Sequence, residues 1–155
     1  MLRKTLNRLL FQRATTFIGP HDLDSYTLEA DLMSEGNRRG MSTVGLINQR
    51  YIIALKGNWQ QLEVSSNFDR LQVAVPFQWK AGVWYRLKTR VDLAPDGSGI
   101  IRAKAWEKGK PEPKEWTLEV PHKHAHRNGA PGLFGFSPQA QFPVYLDNLW
   151  IRQND

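Results

Sequence analysis

The chain has 155 residues, 41% hydrophobic and 23% charged, with 21 Lys and Arg against 15 Asp and Glu and a net charge of +6. That balance belongs to a folded globular chain rather than a disordered one, and the length fits a single domain (1–155) with its own core. The absence of cysteine excludes disulfides, thiolate nucleophiles and Cys-based zinc sites, no apolar run is long enough to span a bilayer, and the surplus of positive charge leans toward anionic partners.

The opening, MLRKTLNRLLFQR, carries Arg3, Lys4, Arg8 and Arg13 and no acid. It reads either as a basic amphipathic segment of the presequence or membrane-surface kind, or as a basic tail (1–8) leading into a strand from Leu9 to Ile18. Thr15, Thr16, Phe17 and Ile18 favour the strand. Gly19-Pro20 ends it. Tyr26 to Met33 alternates, with Tyr26, Leu28, Ala30 and Leu32 on one face and Thr27, Glu29, Asp31 and Met33 on the other, which is the pattern of a half-buried strand. Residues 34–42 form a loop. Val44–Asn48 and Tyr51–Leu55 are strand-like around a Gln49-Arg50 turn, and Gln61–Ser66 and Leu71–Phe77 follow.

The stretch from Trp84 to Trp106 is the clearest hairpin. Tyr85, Leu87, Thr89 and Val91 share one face with Ile101, Ala103 and Ala105, while Trp84, Arg86, Lys88 and Arg90 share the other with Arg102, Lys104 and Trp106. Asp92–Ser98, with Pro95, Asp96 and Gly97, is the turn. Burial of the apolar side predicts a register that pairs Trp84 with Trp106, Arg86 with Lys104 and Lys88 with Arg102. Lys108–Pro113 connects to a strand over Trp116–Val120, whose Glu115 and Glu119 are placed to neutralise part of the basic face. Pro121–Pro131 is a histidine-bearing loop, and Leu133–Phe136 and Val144–Ile151 close the chain. About ten short strands at turn spacing with no long helix predict an all-β, antiparallel sandwich or barrel.

The candidate ligand site is the outer face of the hairpin: Trp84, Arg86, Lys88, Arg90, Arg102, Lys104 and Trp106. Pyranose rings stack on indole planes, and basic side chains supply donors to hydroxyls and acid groups. Trp59 at a hairpin tip and Trp79 in a loop are further exposed candidates, and Trp116 and Trp150 are assigned to the core. Glu29 and Asp31 share a strand face as a glycosidase pair would, but Glu35 falls in the following loop, so they read as a solvated face. His122, His124 and His126 would align if their loop were extended, yet Lys123 and Arg127 repel a cation; Asp22 and Asp24, Asp92 and Asp96, and Asp147 with Asn148 are ordinary turn or strand-end chemistry. No metal and no cofactor is expected. No nucleic-acid module signature is present, so nucleic acid is not an expected partner.

Three pieces, Trp84-Tyr85-Arg86-Leu87-Lys88, Gly132-Leu133-Phe134-Gly135-Phe136 and Val144 to Ile151, resemble the concanavalin A-like lectin/glucanase superfamily, including its LamG-like members. Phe17-Ile18-Gly19-Pro20, Tyr26 to Asp31, Gln49-Arg50-Tyr51, Lys104-Ala105-Trp106, Pro111-Glu112-Pro113 and Trp116-Thr117 are similar to the domain that follows bacterial β-propellers of the pyrroloquinoline-quinone-binding type. The resemblance implies a jelly-roll sandwich of two antiparallel sheets, a periplasmic or extracellular setting, and a carbohydrate partner, acidic ones included. It leaves the reaction open, because the fold hosts lectins, glycosidases and spacers. The sequence therefore reads as a non-catalytic carbohydrate-binding or accessory module. The alternatives are a spacer or protein-interaction domain packed on a β-propeller partner and, behind it, a glycoside hydrolase.

Overall fold

A computed structural model describes residues 1–4, 11–138 and 141–155. In chain order its strands are β1 (Leu2–Lys4), β2 (Phe11–Phe17), β3 (Tyr26–Ser34), β4 (Gly36–Asn37), β5 (Gly40–Met41), β6 (Thr43–Asn48) and β7 (Tyr51–Lys56). They continue with β8 (Gln61–Ser66), β9 (Gln72–Pro76), β10 (Tyr85–Leu93), β11 (Gly99–Glu107), β12 (Leu118–His122), β13 (Gly132–Pro138) and β14 (Val144–Gln153). Among the described residues there is no helix long and apolar enough to cross a membrane.

Two six-stranded sheets make a jelly-roll sandwich. The front sheet runs β1-β14-β3-β10-β11-β12 and the back sheet β2-β13-β6-β7-β8-β9, with every pairing antiparallel. The short β4-β5 pair stands apart. Alternation decides what fills the space between the sheets. Leu28, Ala30, Leu32, Leu87, Val91, Ile101 and Ala103 point in from the front, Val44, Leu46, Tyr51, Ile53, Leu55, Leu62 and Val64 from the back, and most are fully buried. At about 25 cal/mol per Å² of apolar surface removed from water, this layer is the dominant source of stability.

Leu2–Lys4, expected in a basic tail, instead pairs with Val144–Leu146 as the outermost front strand. The rest of that tail, and Leu9 and Leu10 of the expected first strand, lie outside the described residues. The expected opening strand is present as Phe11–Phe17.

The β10–β11 hairpin keeps its predicted faces and changes its register. Arg86 stands opposite Trp106, Lys88 opposite Lys104 and Arg90 opposite Arg102. The strands run further into the connector than its composition suggests, pairing Asp92 with Ile100 and Leu93 with Gly99. The turn shrinks to Ala94–Ser98, closed by Ala94 N–H to the Ser98 carbonyl (2.8 Å) and by Asp96 Oδ1 accepting from Ser98 N (2.9 Å). Gly97 supplies the left-handed residue (φ 87°) that this tight loop needs. A shift of two residues leaves side-chain faces unchanged, so burial alone could not distinguish the two registers.

Candidate functional site

On the front sheet the structure brings the predicted cations together on one outward face, in opposed pairs of like charge. Directly opposed like charges destabilise a sheet, and each pair here has a carboxylate bridge. Glu112 Oε1 lies 2.9 Å from both Lys88 and Lys104. Asp92 Oδ2 accepts from Arg90 (2.7 Å) and Arg102 (2.9 Å), and Glu119 adds a second bond to Arg102 (2.8 Å). Arg86 reaches across to β3, bonding Glu29 (2.7 Å) and Asp31 (3.1 Å).

The connector 108–117 also covers part of this face. Lys104 donates to the Pro113 carbonyl (2.6 Å) and sits 4.8 Å from the Trp116 ring centroid, which leaves the lysine 6% exposed. Trp116 is therefore a lid on the outer face rather than a core residue, and Glu115 belongs to the same connector rather than to a strand. Trp84 precedes β10, half-buried beneath Lys108 (5.9 Å), and Trp106 is half-buried opposite Arg86.

The Glu29–Asp31 pair is likewise committed and is not the solvated face expected, because Asp31 is 2% exposed and Glu29 half-buried under the cations that cross to them. Burial alone would raise the Asp31 pKa, but hydrogen bonds from Lys108 (2.7 Å), Asn148 (2.6 Å) and Arg86 outweigh it and hold the carboxyl below the usual range. A general acid needs the opposite shift.

Two more indoles depart from expectation. Trp79, expected to be exposed, is 3% exposed; its Nε1 donates to the Lys56 carbonyl (3.3 Å) and its ring meets Tyr85 edge-on at 5.9 Å. Trp150, expected in the core, is 41% exposed. A bulge between Asp147 and Trp150, with Asn148 at φ 50°, inserts one residue and turns Trp150 to the outer face.

The open surface is on the back sheet. Its outward positions include Ile47, Ile52, Ala54 and Phe134, a second apolar cluster outside the inter-sheet core with Phe136 packed against it. This cluster floors a hollow of two adjoining depressions, and a third meets one of them at Lys56, Trp59 and Glu63. One of about 740 Å³ runs from Arg13 and Phe17 to Arg50 and Phe68. One of about 200 Å³ lies between Arg13, Phe134 and Trp59, and one of about 370 Å³ lies between Trp59, Glu63 and Gln72.

Trp59, in the β7–β8 turn, is 69% exposed, as its hairpin-tip position predicts. Beside it Glu63 Oε2 accepts from Lys56 (3.1 Å) and Gln72 (3.1 Å), and the Lys56 ammonium sits 5.7 Å from the Trp59 ring. An aromatic plane thus stands next to fixed donors and acceptors.

Arg13, Arg50, Lys56, Glu63 and Gln72 line this candidate surface, and the sequence reading missed them. The available signal was the run Ile52-Ile53-Ala54-Leu55, apolar at successive positions. A strand with one wet face alternates; one that is apolar on both faces has two dry surfaces.

The histidine loop closes one end of this hollow. His122 and His126 ring centroids are 5.7 Å apart, while His124 is exposed and stands away. His122 Nε2 faces Asp69 (3.3 Å) and its Nδ1 lies 2.6 Å from the buried Tyr51 hydroxyl, which accepts from the His126 backbone N–H (3.0 Å). His126 Nε2 meets Ser66 Oγ at 2.7 Å, and its ring packs on Tyr51 and Phe68. Burial first, then the charges of His122 and Arg50, push the His126 pKa down, and Asp69 opposes them. Among the described residues no group of three or more His, Cys, Asp or Glu side chains is placed to hold a metal ion.

No protein-family model and no curated protein matches the sequence. Solved structures match the fold. An alginate lyase of the PL-14 type from Aplysia kurodai superposes with a TM-score of 0.58 at 9% identity, over 87% of this chain and 72% of that one. An endo-β-1,4-glucuronan lyase from Trichoderma reesei gives 0.57 at 13% identity, over 98% and 79%. The Caenorhabditis elegans galectin LEC-6 gives 0.53 at 7% identity, over 97% and 96%.

Proposed function

We propose that this protein is a non-catalytic carbohydrate-binding or accessory module whose glycan surface is the hollowed outer face of the back sheet. The observation that carries the reading is Trp59, a 69% exposed indole at the edge of an apolar floor, with the Lys56–Glu63–Gln72 array beside it. A sugar ring needs both parts: a plane for its C–H face and rigid polar groups for its hydroxyls. The front face offers cations already bonded to carboxylates, so a ligand there would have to displace Glu112 or Asp92. Galectin and polysaccharide-lyase structures among the fold neighbours support the same ligand class. The sequence resemblance to domains that follow propellers implies an extracytoplasmic setting.

The test is a titration with a panel of neutral and acidic oligosaccharides, followed by tryptophan fluorescence. Trp59→Ala is expected to weaken binding at least about tenfold, the scale of a lost stacking contact with its hydrogen bonds, while Arg102→Ala leaves it unchanged. Binding that survives Trp59→Ala and disappears in Arg102→Ala would return the site to the front sheet.

A second reading, a spacer or interaction domain, is favoured by one observation: consecutive Leu149, Trp150 and Ile151 are 38%, 41% and 39% exposed on β14. Silence toward every glycan, together with a partner interaction abolished by Trp150→Ser, would select it.

A further inference from the structure

We infer that the 740 Å³ depression between Arg13 and Arg50 binds the acid groups of an anionic polysaccharide, so that the module selects acidic glycans over neutral ones. This rests on the back-sheet groove being the glycan surface. Both guanidiniums line the depression, and among the described residues neither has a carboxylate within ion-pair distance. Each lies instead over a ring: Arg13 5.4 Å from the Phe134 centroid, Arg50 5.2 Å from Phe68. A guanidinium lying over one aromatic ring keeps N–H groups directed away from that ring, and those are the groups that bond a carboxylate or sulfate in a fork.

The two cations are far apart in the sheet. Arg13 is level with Phe136 and Thr43, whereas Arg50 lies in the turn beyond Asn48 and Tyr51. Several residues of strand at about 3.3 Å each separate those levels, too far for one small anion to meet both. A chain carrying an acid group at intervals meets both at once. Its rings then lie along Ile47 and Ile52, with Phe17 (60% exposed) and Phe68 (67% exposed) at the rims.

Arg50 is also held in place. Its backbone is left-handed (φ 70°) in the turn, and Gly129 packs so closely against it that an added Cβ would come within 2.8 Å of Arg50 Cγ. Packing holds the stem of this exposed side chain, and the Phe68 ring lies under its cation. The overall charge of +6 draws polyanions to the surface in the same sense, and that attraction weakens with salt.

The test compares oligogalacturonate with its methyl ester, and dextran sulfate with dextran, by calorimetry at low and physiological salt. The proteins are the wild type, Arg13→Gln, Arg50→Gln, Arg50→Lys and Trp59→Ala, each checked for an unchanged unfolding midpoint. The wild type is expected to bind a charged chain about tenfold or more tighter than its neutral counterpart. Each Arg→Gln variant is expected to lose about three- to tenfold on the charged chain and nothing on the neutral one, with Arg50→Lys intermediate. The galacturonate and sulfate arms decide which acid group fits.

Equal affinity for acid and ester, still dependent on Trp59, would overturn this inference and leave the glycan surface standing. No binding to any glycan would overturn both. Tighter binding of a single-stranded oligonucleotide that competes with every glycan would overturn it in favour of nucleic acid.

Discussion

On the outer face of the front sheet Arg86, Lys88, Arg90, Arg102 and Lys104 each have a carboxylate within ion-pair distance, and a connector lies across part of them. On the outer face of the back sheet Arg13 and Arg50 have none among the described residues and rest on phenyl rings above an apolar floor. Similar side chains thus serve different ends. Compensated cations in half-buried surroundings hold strands and a connector together. Uncompensated cations beside an open hollow contribute little to folding and are available to a ligand. A row of basic residues in a sequence is therefore weak evidence of a binding site until the acids that meet it are known.

The sharpest way to test the contrast is to remove an arginine from each face. Arg86→Ala takes from Glu29 its nearest cation and from the 2% exposed Asp31 one of its two, leaving Lys108, and should cost about 3 kcal/mol in urea unfolding, the scale of breaking a buried pair. Arg13→Gln, on the exposed edge strand, should stay within about 0.5 kcal/mol of the wild type. Equal losses for the two would erase the distinction.

Glu112→Gln probes the bridge between Lys88 and Lys104 and should cost about 1–2 kcal/mol, with solvent screening at this half-exposed carboxylate keeping it below the Arg86 effect. Burial raises the Glu112 pKa, but the hydrogen bonds and charges of Lys88 and Lys104 outweigh it and hold it below the ordinary 4.5. Its contribution is therefore present above pH 4.5 and lost as pH falls through the depressed value. Melting temperatures of the wild type and Glu112→Gln should converge in that acid range and separate above it.

The back sheet has a different acid limit. His126 is held neutral, with a pKa below 6.5, so its contribution is full above pH 6.5 and lost as pH falls through the lowered value. A loss of stability should begin below pH 6.5, and His126→Gln should remove that dependence without touching the one below pH 4.5. A single transition common to both variants would merge the two windows and break the contrast.

The smallest effect belongs to the layer between the faces. Among the described residues Thr89 Oγ1 is buried without a hydrogen-bond partner. Thr89→Val should raise stability by about 0.5–1 kcal/mol, because it removes an unsatisfied hydroxyl at constant volume, and should leave glycan binding on either face unaltered.

Much of this architecture is legible in the residues. Alternation in β3, β10 and β11 identifies the face turned toward the other sheet, although Thr27, Asp31 and Lys104 on the opposite face are buried as well, and Trp59 falls at a turn tip where exposure follows. The legible part stops where one residue or one distant partner decides the outcome. The bulge at Asn148 reverses the exposure expected for Trp150. Pro113 and Glu112, in a connector with no periodicity, determine how open the face around Lys104 is. Trp79 looks like a loop residue, yet it is buried against Tyr85 and the Lys56 carbonyl.

Local pattern acts through a period of two along each strand, so the chain by itself determined which side chains face the core, and with them the all-β sandwich. Charge compensation and surface shape depend on residues that meet only after folding, such as Asp31 with Lys108, Glu112 with Lys104, and Arg50 with Phe68. Tertiary structure alone decided that the front face is closed by its own acids and the back face is open, because an ion pair forms according to distance in space and not according to spacing in the chain.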